Sequence, residues 1–193
     1  MNTDFINEQD PFKFLDIVKE NYEECMEGKA SEAELVKFIS TVLPATKHVK
    51  GNSKIRLWHV EDISDMPGDA CVTFIYEPTY MLAAIIVYAL TRYKGVKKIP
   101  GLMEQLDKIF CGCMDRDFMG HGYDAMDGLI YAMEIFAKAN IKSFLEEYGS
   151  DFPEFATFFQ SRKEILKELA DGTIKSDWGN DYTEKATEVL KLL

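Results

Sequence analysis

Most of this chain repeats apolar residues at the three-to-four-residue spacing of amphipathic helices. Asp10-Pro11 places an N-cap before a proline at the first helical position, and Phe14, Leu15, Val18, Tyr22 and Met26 then recur until Gly28. Ser31-Glu32-Ala33-Glu34 reads as a capping box, followed by a stripe of Leu35, Phe38, Ile39 and Val42 that Pro44 ends. The short connection predicts that these two helices form an antiparallel hairpin.

The helical period then breaks. Residues 54–60 alternate enough for a short strand, 61–69 form an acidic loop, and the β-branched and aromatic run 71–76 suits a second strand. Pro78 opens a segment from Tyr80 through Tyr93 that is apolar on nearly every face, and a helix of that kind belongs at the centre of a fold. Pro100 opens another helix (Leu102, Met103, Leu106, Ile109, Phe110) ending near Cys113. Asp124 caps the next, whose apolar face is Met126, Leu129, Ile130, Met133, Phe136 and Ala137. A short helix over 141–148, a longer one over 153–170 and a last one from Asp181-Tyr182-Thr183-Glu184 complete the pattern. With no repeat, low-complexity stretch or long linker, residues 1–193 are expected to be one mostly α domain of antiparallel helical hairpins with a small two-stranded β element.

Charge narrows the partners. The chain carries 33 acidic against 22 basic residues, a net charge of −11, which disfavours nucleic acid and anionic membranes as partners. The basic residues Arg92, Lys94, Lys97 and Lys98 gather where a helix C-terminus is expected, and cations there complement the helix dipole. The opening residues are acidic and lack the basic start and apolar run of a signal peptide. The longest apolar run, 80–90, is about half the roughly 20 residues of a membrane span. Cys25, Cys71, Cys111 and Cys113 have no disulfide-scaffold spacing and read as reduced thiols. The expectation is a cytoplasmic protein.

The densest chemistry lies in residues 115–128, where Asp115, Asp117, Asp124 and Asp127 stand with Arg116, Tyr123 and His121, the histidine between Gly120 and Gly122. Flanking glycines let the backbone present the ring at an unusual angle. His121 is a candidate general acid or base, or a turn residue bonded to nearby backbone. Arg116 either anchors an anionic group or pairs with its neighbouring aspartates.

Asp124, Asp127, Tyr131, Glu134 and Lys138 fall on one helix face. That stripe either lines a cleft or is a solvated surface, with Asp124 as N-cap, Asp127 favouring the helix dipole and Glu134 pairing with Lys138. Glu77, ahead of Pro78, becomes a candidate acid if Phe74, Tyr76 and Tyr80 bury it. Set across a cleft from Asp124 or Asp127, it would give a two-carboxylate hydrolase arrangement. Cys111, Cys113 and His121 could supply three zinc ligands, but the spacing is not that of a zinc site and no metal is expected. Trp58, His59, Tyr123 and Trp178 are either stacking platforms or packing residues. No phosphate loop, dinucleotide fingerprint, nucleophile elbow, HExxH or EF-hand occurs, so no cofactor is expected.

Glu77-Pro78-Thr79-Tyr80, Pro100-Gly101 and Gly120-His121-Gly122-Tyr123-Asp124, each opening a helix, resemble the helical-hairpin rhythm of α/α-toroid proteins. Those families include six-hairpin glycosidases and prenyltransferase-like enzymes. The resemblance spans roughly 77–148, implies sites in the loops before inner helices, and transfers no catalytic residue. The chain would form only a partial arc.

Together these features give a pocket for a small molecule or glycan, with His121, Asp127 and Glu77 as catalytic candidates and Arg116, Tyr123, Asp124 and Tyr131 as ligand contacts. Acid–base hydrolysis is the chemistry they support. The rival is a non-enzymatic inhibitor, immunity factor or adaptor engaging a basic protein through its acidic surface. A homo-oligomer that completes the arc by symmetry is the third reading.

Overall fold

The computed structural model describes residues 1–8, 10–45, 47–48, 55–56, 77–115, 125–175 and 181–193. Within them run eight α-helices: α1 Pro11–Met26, α2 Glu32–Val42, α3 Glu77–Arg92, α4 Leu102–Asp115, α5 Ala125–Lys138, α6 Ile141–Tyr148, α7 Pro153–Ala170 and α8 Thr183–Leu192. The protein is mostly α. Two two-residue strands, β1 Lys47–His48 and β2 Ile55–Arg56, pair antiparallel with Lys47 opposite Arg56. β2 falls within the expected strand 54–60. The rest of that strand and all of 71–76 lie outside the described residues.

Local chemistry sets the helix ends. The Asp10 side chain accepts from the Phe12 and Lys13 amides, and Pro11 costs no hydrogen bond at the first position. Gly28 closes α1 at φ 70°, its amide bonding the Cys25 carbonyl while the Lys29 amide bonds the Glu24 carbonyl. This paired closure needs a left-handed residue, which glycine adopts without a Cβ penalty. Ser31 and Glu34 cap each other's backbone amides at the head of α2. α6 and α7 occupy the expected spans, α4 runs two residues past Cys113, and Asp181 Oδ1 accepts from the Thr183 amide at 3.0 Å ahead of α8.

α3 is the axle. Every residue from Pro78 to Leu90 is buried, so no face of the helix meets water. It packs against α1, α4, α5 and α6 and more lightly against α2. α1 lies chiefly along α3, and α2 meets α3 and the turn at Val96–Lys98 alike, so neither helix has the other as its main neighbour. The all-round apolar surface of α3 buries more area than the single stripe each neighbour could bury against the other.

A phenylalanine cluster joins α4, α5, α6 and α7. The Phe110 and Phe155 rings stack with centroids 3.7 Å apart, Phe110 meets Phe144 and Phe152 edge-on, and Phe155 reaches Phe136 at 5.6 Å. α7 and α8 pack side by side, and Lys163 Nζ donates to the Leu193 carbonyl at 3.4 Å. α5 lies between α3 and α8. That position gives α5 a buried apolar side and leaves its polar stripe along the surface.

Candidate functional site

Glu77 is the first residue of α3 and the point where the buried axle reaches the surface. Its side chain keeps 19% of its surface exposed. The Tyr131 hydroxyl on α5 donates to Glu77 Oε2 at 3.1 Å, and Lys19 Nζ on α1 stands 3.7 Å from the same oxygen. Burial pushes the Glu77 carboxyl above its ordinary range, against the opposing pull of Lys19 and of the Tyr131 hydrogen bond. Burial and the adjacent Glu77 carboxylate push the Tyr131 phenol well up, so it remains a hydrogen-bond donor across the physiological range.

Asp127, in the first turn of α5, is the second carboxylate. Its side chain is 56% exposed, Oδ2 accepts from the Tyr182 hydroxyl at 2.8 Å, and Oδ1 lies 3.5 Å from Lys185 Nζ. Asp127 and Tyr131 are separated by one turn of α5, on the order of 6 Å of rise. Farther along, Glu134 pairs with Lys138 at 2.5 Å, the i,i+4 contact expected from their spacing.

The ridge made by Tyr131 and Glu134 separates two open concavities. One, of about 270 Å³, lies between α1, α3 and α5 and is lined by Lys19, Tyr22, Glu23, Met81, Ile135 and Lys138 together with the ridge residues. The Tyr22 hydroxyl donates to the Ile135 carbonyl at 3.2 Å and fixes α1 against α5 there. The other, of about 460 Å³, lies between α5 and α8.

Of the residues singled out from the sequence, Glu77 and Tyr131 are in direct contact, and Asp127 lies one turn away along the same face. Arg116, His121, Tyr123 and Asp124 lie outside the described residues, as do Phe74, Tyr76, Trp58, His59 and Trp178. Cys113 is wholly buried on α4 with its thiol pushed well up by burial, while Cys111 is half-buried. Two residues apart on a helix, they project about 200° apart and do not share a face. Among the described residues no group of three or more His, Cys, Asp or Glu could hold a metal ion. No described helix is long and apolar enough to cross a membrane.

Lys19, Tyr182 and Lys185 contact the candidate carboxylates but do not stand out in the sequence. Lys19 looks like any polar residue beside the Val18–Tyr22 stripe, and its pairing with Glu77 spans two distant helices. Tyr182 was visible only as part of a helix-start signal. The chain matches no protein-family model, and no curated protein or solved structure matches it either.

Proposed function

We propose that the protein binds a small, hydroxyl-rich or otherwise polar ligand in the cleft between α1, α3 and α5, and that acid–base hydrolysis is the chemistry its residues support. The observation that carries this reading is the Glu77–Tyr131–Lys19 contact: a half-buried carboxyl with a raised pKa, bonded to a tyrosine that lines a cleft. Shifted carboxyls beside clefts are characteristic of acid–base sites. The cleft, about 270 Å³, equals roughly nine liquid waters and suits a single sugar-sized ring. Met81 and Ile135 offer such a ring an apolar face, while Lys19, Glu23, Glu134 and Lys138 offer hydrogen bonds at its edge.

In this reading Glu77 is the acid, and Asp127 is the base or electrostatic partner. The helices from α3 onward are then read as antiparallel hairpins of an incomplete α/α arc in a cytoplasmic protein. A thermal-shift panel of mono- and disaccharides on the wild type and on Glu77→Gln tests the proposal. Stabilisation of the wild type by at least one sugar, weakened in the variant, is expected. A wild type unmoved by every sugar, or shifts identical in the variant, would refute it.

The second reading is a non-enzymatic protein that engages a basic partner. Its support is the exposure of the stripe itself, with Asp127 56% and Glu134 39% exposed beside an apolar groove.

A further inference from the structure

We infer that the groove between α5 and α8 is a docking site for a basic amphipathic helix of another protein. This goes beyond the ligand cleft and gives the second reading a definite partner. On α5 the groove is lined by Asp127, Ile130, Tyr131 and Glu134, and on α8 by Lys185, Glu188, Val189 and Leu192. Both sets follow the same i, i+3, i+4, i+7 spacing, so each helix turns one continuous stripe toward the groove. A stripe of that span is about 10 Å long, enough for two turns of a guest helix.

The groove has an apolar floor and an acidic rim. Ile130 and Val189 are buried, but Leu192 is 54% exposed, one of the few large hydrophobic side chains so placed among the described residues. An apolar side chain left wet in a concavity gains most from a guest that covers it. The rim carries three carboxylates and one ammonium. Lys185 lies against Asp127, Glu134 holds Lys138, and Glu188 forms no ion pair among the described residues. Two of the three carboxylates thus lie beside ammonium groups, and the rim keeps a net negative charge at Glu188.

Charge selects the occupant. A helix with apolar residues at helical spacing flanked by Lys or Arg matches the floor and the rim together, the mode in which amphipathic helices enter grooves. A second copy of this chain would bring another −11 and meet long-range repulsion. The same field would speed encounter with a positive partner.

The probe is a fluorescent leucine–lysine peptide with helical amphipathic spacing, titrated by anisotropy. Its controls are a scrambled peptide of identical composition and one with glutamate at every lysine. Binding by the ordered peptide is expected, weakened about tenfold or more by Leu192→Asp and by Glu134→Lys combined with Glu188→Lys. Glu77→Gln should leave it unchanged, which separates this inference from the ligand-cleft proposal. All of these substitutions lie at side chains with solvent access, and circular dichroism of each variant confirms folding. Equal binding of the scrambled peptide, or folded Leu192→Asp that binds as the wild type does, would overturn the inference. Sedimentation showing a dimer that Leu192→Asp disperses would also overturn it, by assigning the face to a second copy.

Discussion

The Tyr131 phenol donates to Glu77 Oε2 at 3.1 Å, tying the middle of α5 to the first residue of the buried axle α3. This bond, with Lys19 at 3.7 Å, favours the ionised form of Glu77 at a position where burial favours the neutral one. Removing the donor should move Glu77 further from its ordinary range. In Tyr131→Phe the Glu77 carboxyl is expected to titrate higher than in the wild type, read by carbon-13 NMR of the side-chain carboxyl. The lost hydrogen bond should cost about 1 kcal/mol of stability. A Glu77 titration that is unchanged or lower in the variant would refute this role for Tyr131.

The sign of the pH dependence follows from the raised pKa. Because folded Glu77 holds its proton more tightly than the unfolded chain does, its favourable contribution is complete below the unfolded carboxylate range. It is lost as pH rises through the folded value. Glu77→Gln cannot ionise and escapes that loss. Relative to the wild type, the variant should therefore gain stability from pH 4 to pH 8, measured by urea denaturation at both. A relative loss over that interval would mean that pairing with Lys19 outweighs desolvation.

Cysteine reactivity should follow burial. Cys25 is buried, and desolvation pushes its thiol up to about 12 despite the opposing pull of Arg92. Cys113 is buried in the core, whereas Cys111 is half-buried. Since the thiolate is the reacting species, iodoacetamide on the native protein should label Cys111 well before Cys25 or Cys113. Peptide mapping by mass spectrometry checks the order, and early labelling of Cys113 would contradict the placement of α4.

Two substitutions probe the frame. Phe110→Ala removes the ring stacked on Phe155 and edge-on to Phe144 and Phe152, and should cost about 3–5 kcal/mol. Gly28→Ala forces a Cβ into the left-handed region at φ 70° and should cost roughly 1–2 kcal/mol. Midpoints of urea unfolding measure both, and a neutral Gly28→Ala would mean that α1 closes differently.

How much was legible in the sequence depended on how local the cause was. Asp10-Pro11, the Ser31–Glu34 box, Pro153 and the 141–148 stripe are local signals, and the corresponding helices start where they were expected. The all-round apolar character of 80–93 likewise marked the axle, because burial on every side leaves no other composition. Glu134–Lys138 was readable from spacing alone. The contacts made by Lys19, Tyr182 and Lys185 were not, because those residues meet Glu77 and Asp127 only after distant helices pack. α1 lies mainly on α3 rather than on α2 for the same reason, since adjacency in sequence does not rank the faces available for burial. Of the dense segment 115–128, Asp115 and the residues from 125 onward are described as helix.

The cleft beside Glu77 and Tyr131 is expected to receive a ligand. Amide chemical-shift mapping on titration with N-acetylglucosamine and the methyl glucosides tests it most directly. Saturable shifts clustered at Lys19–Glu23 of α1, Glu77–Met81 of α3 and Tyr131–Lys138 of α5, reduced in Glu77→Gln, are expected. No shift with any of these sugars, or shifts confined to other helices, would contradict it.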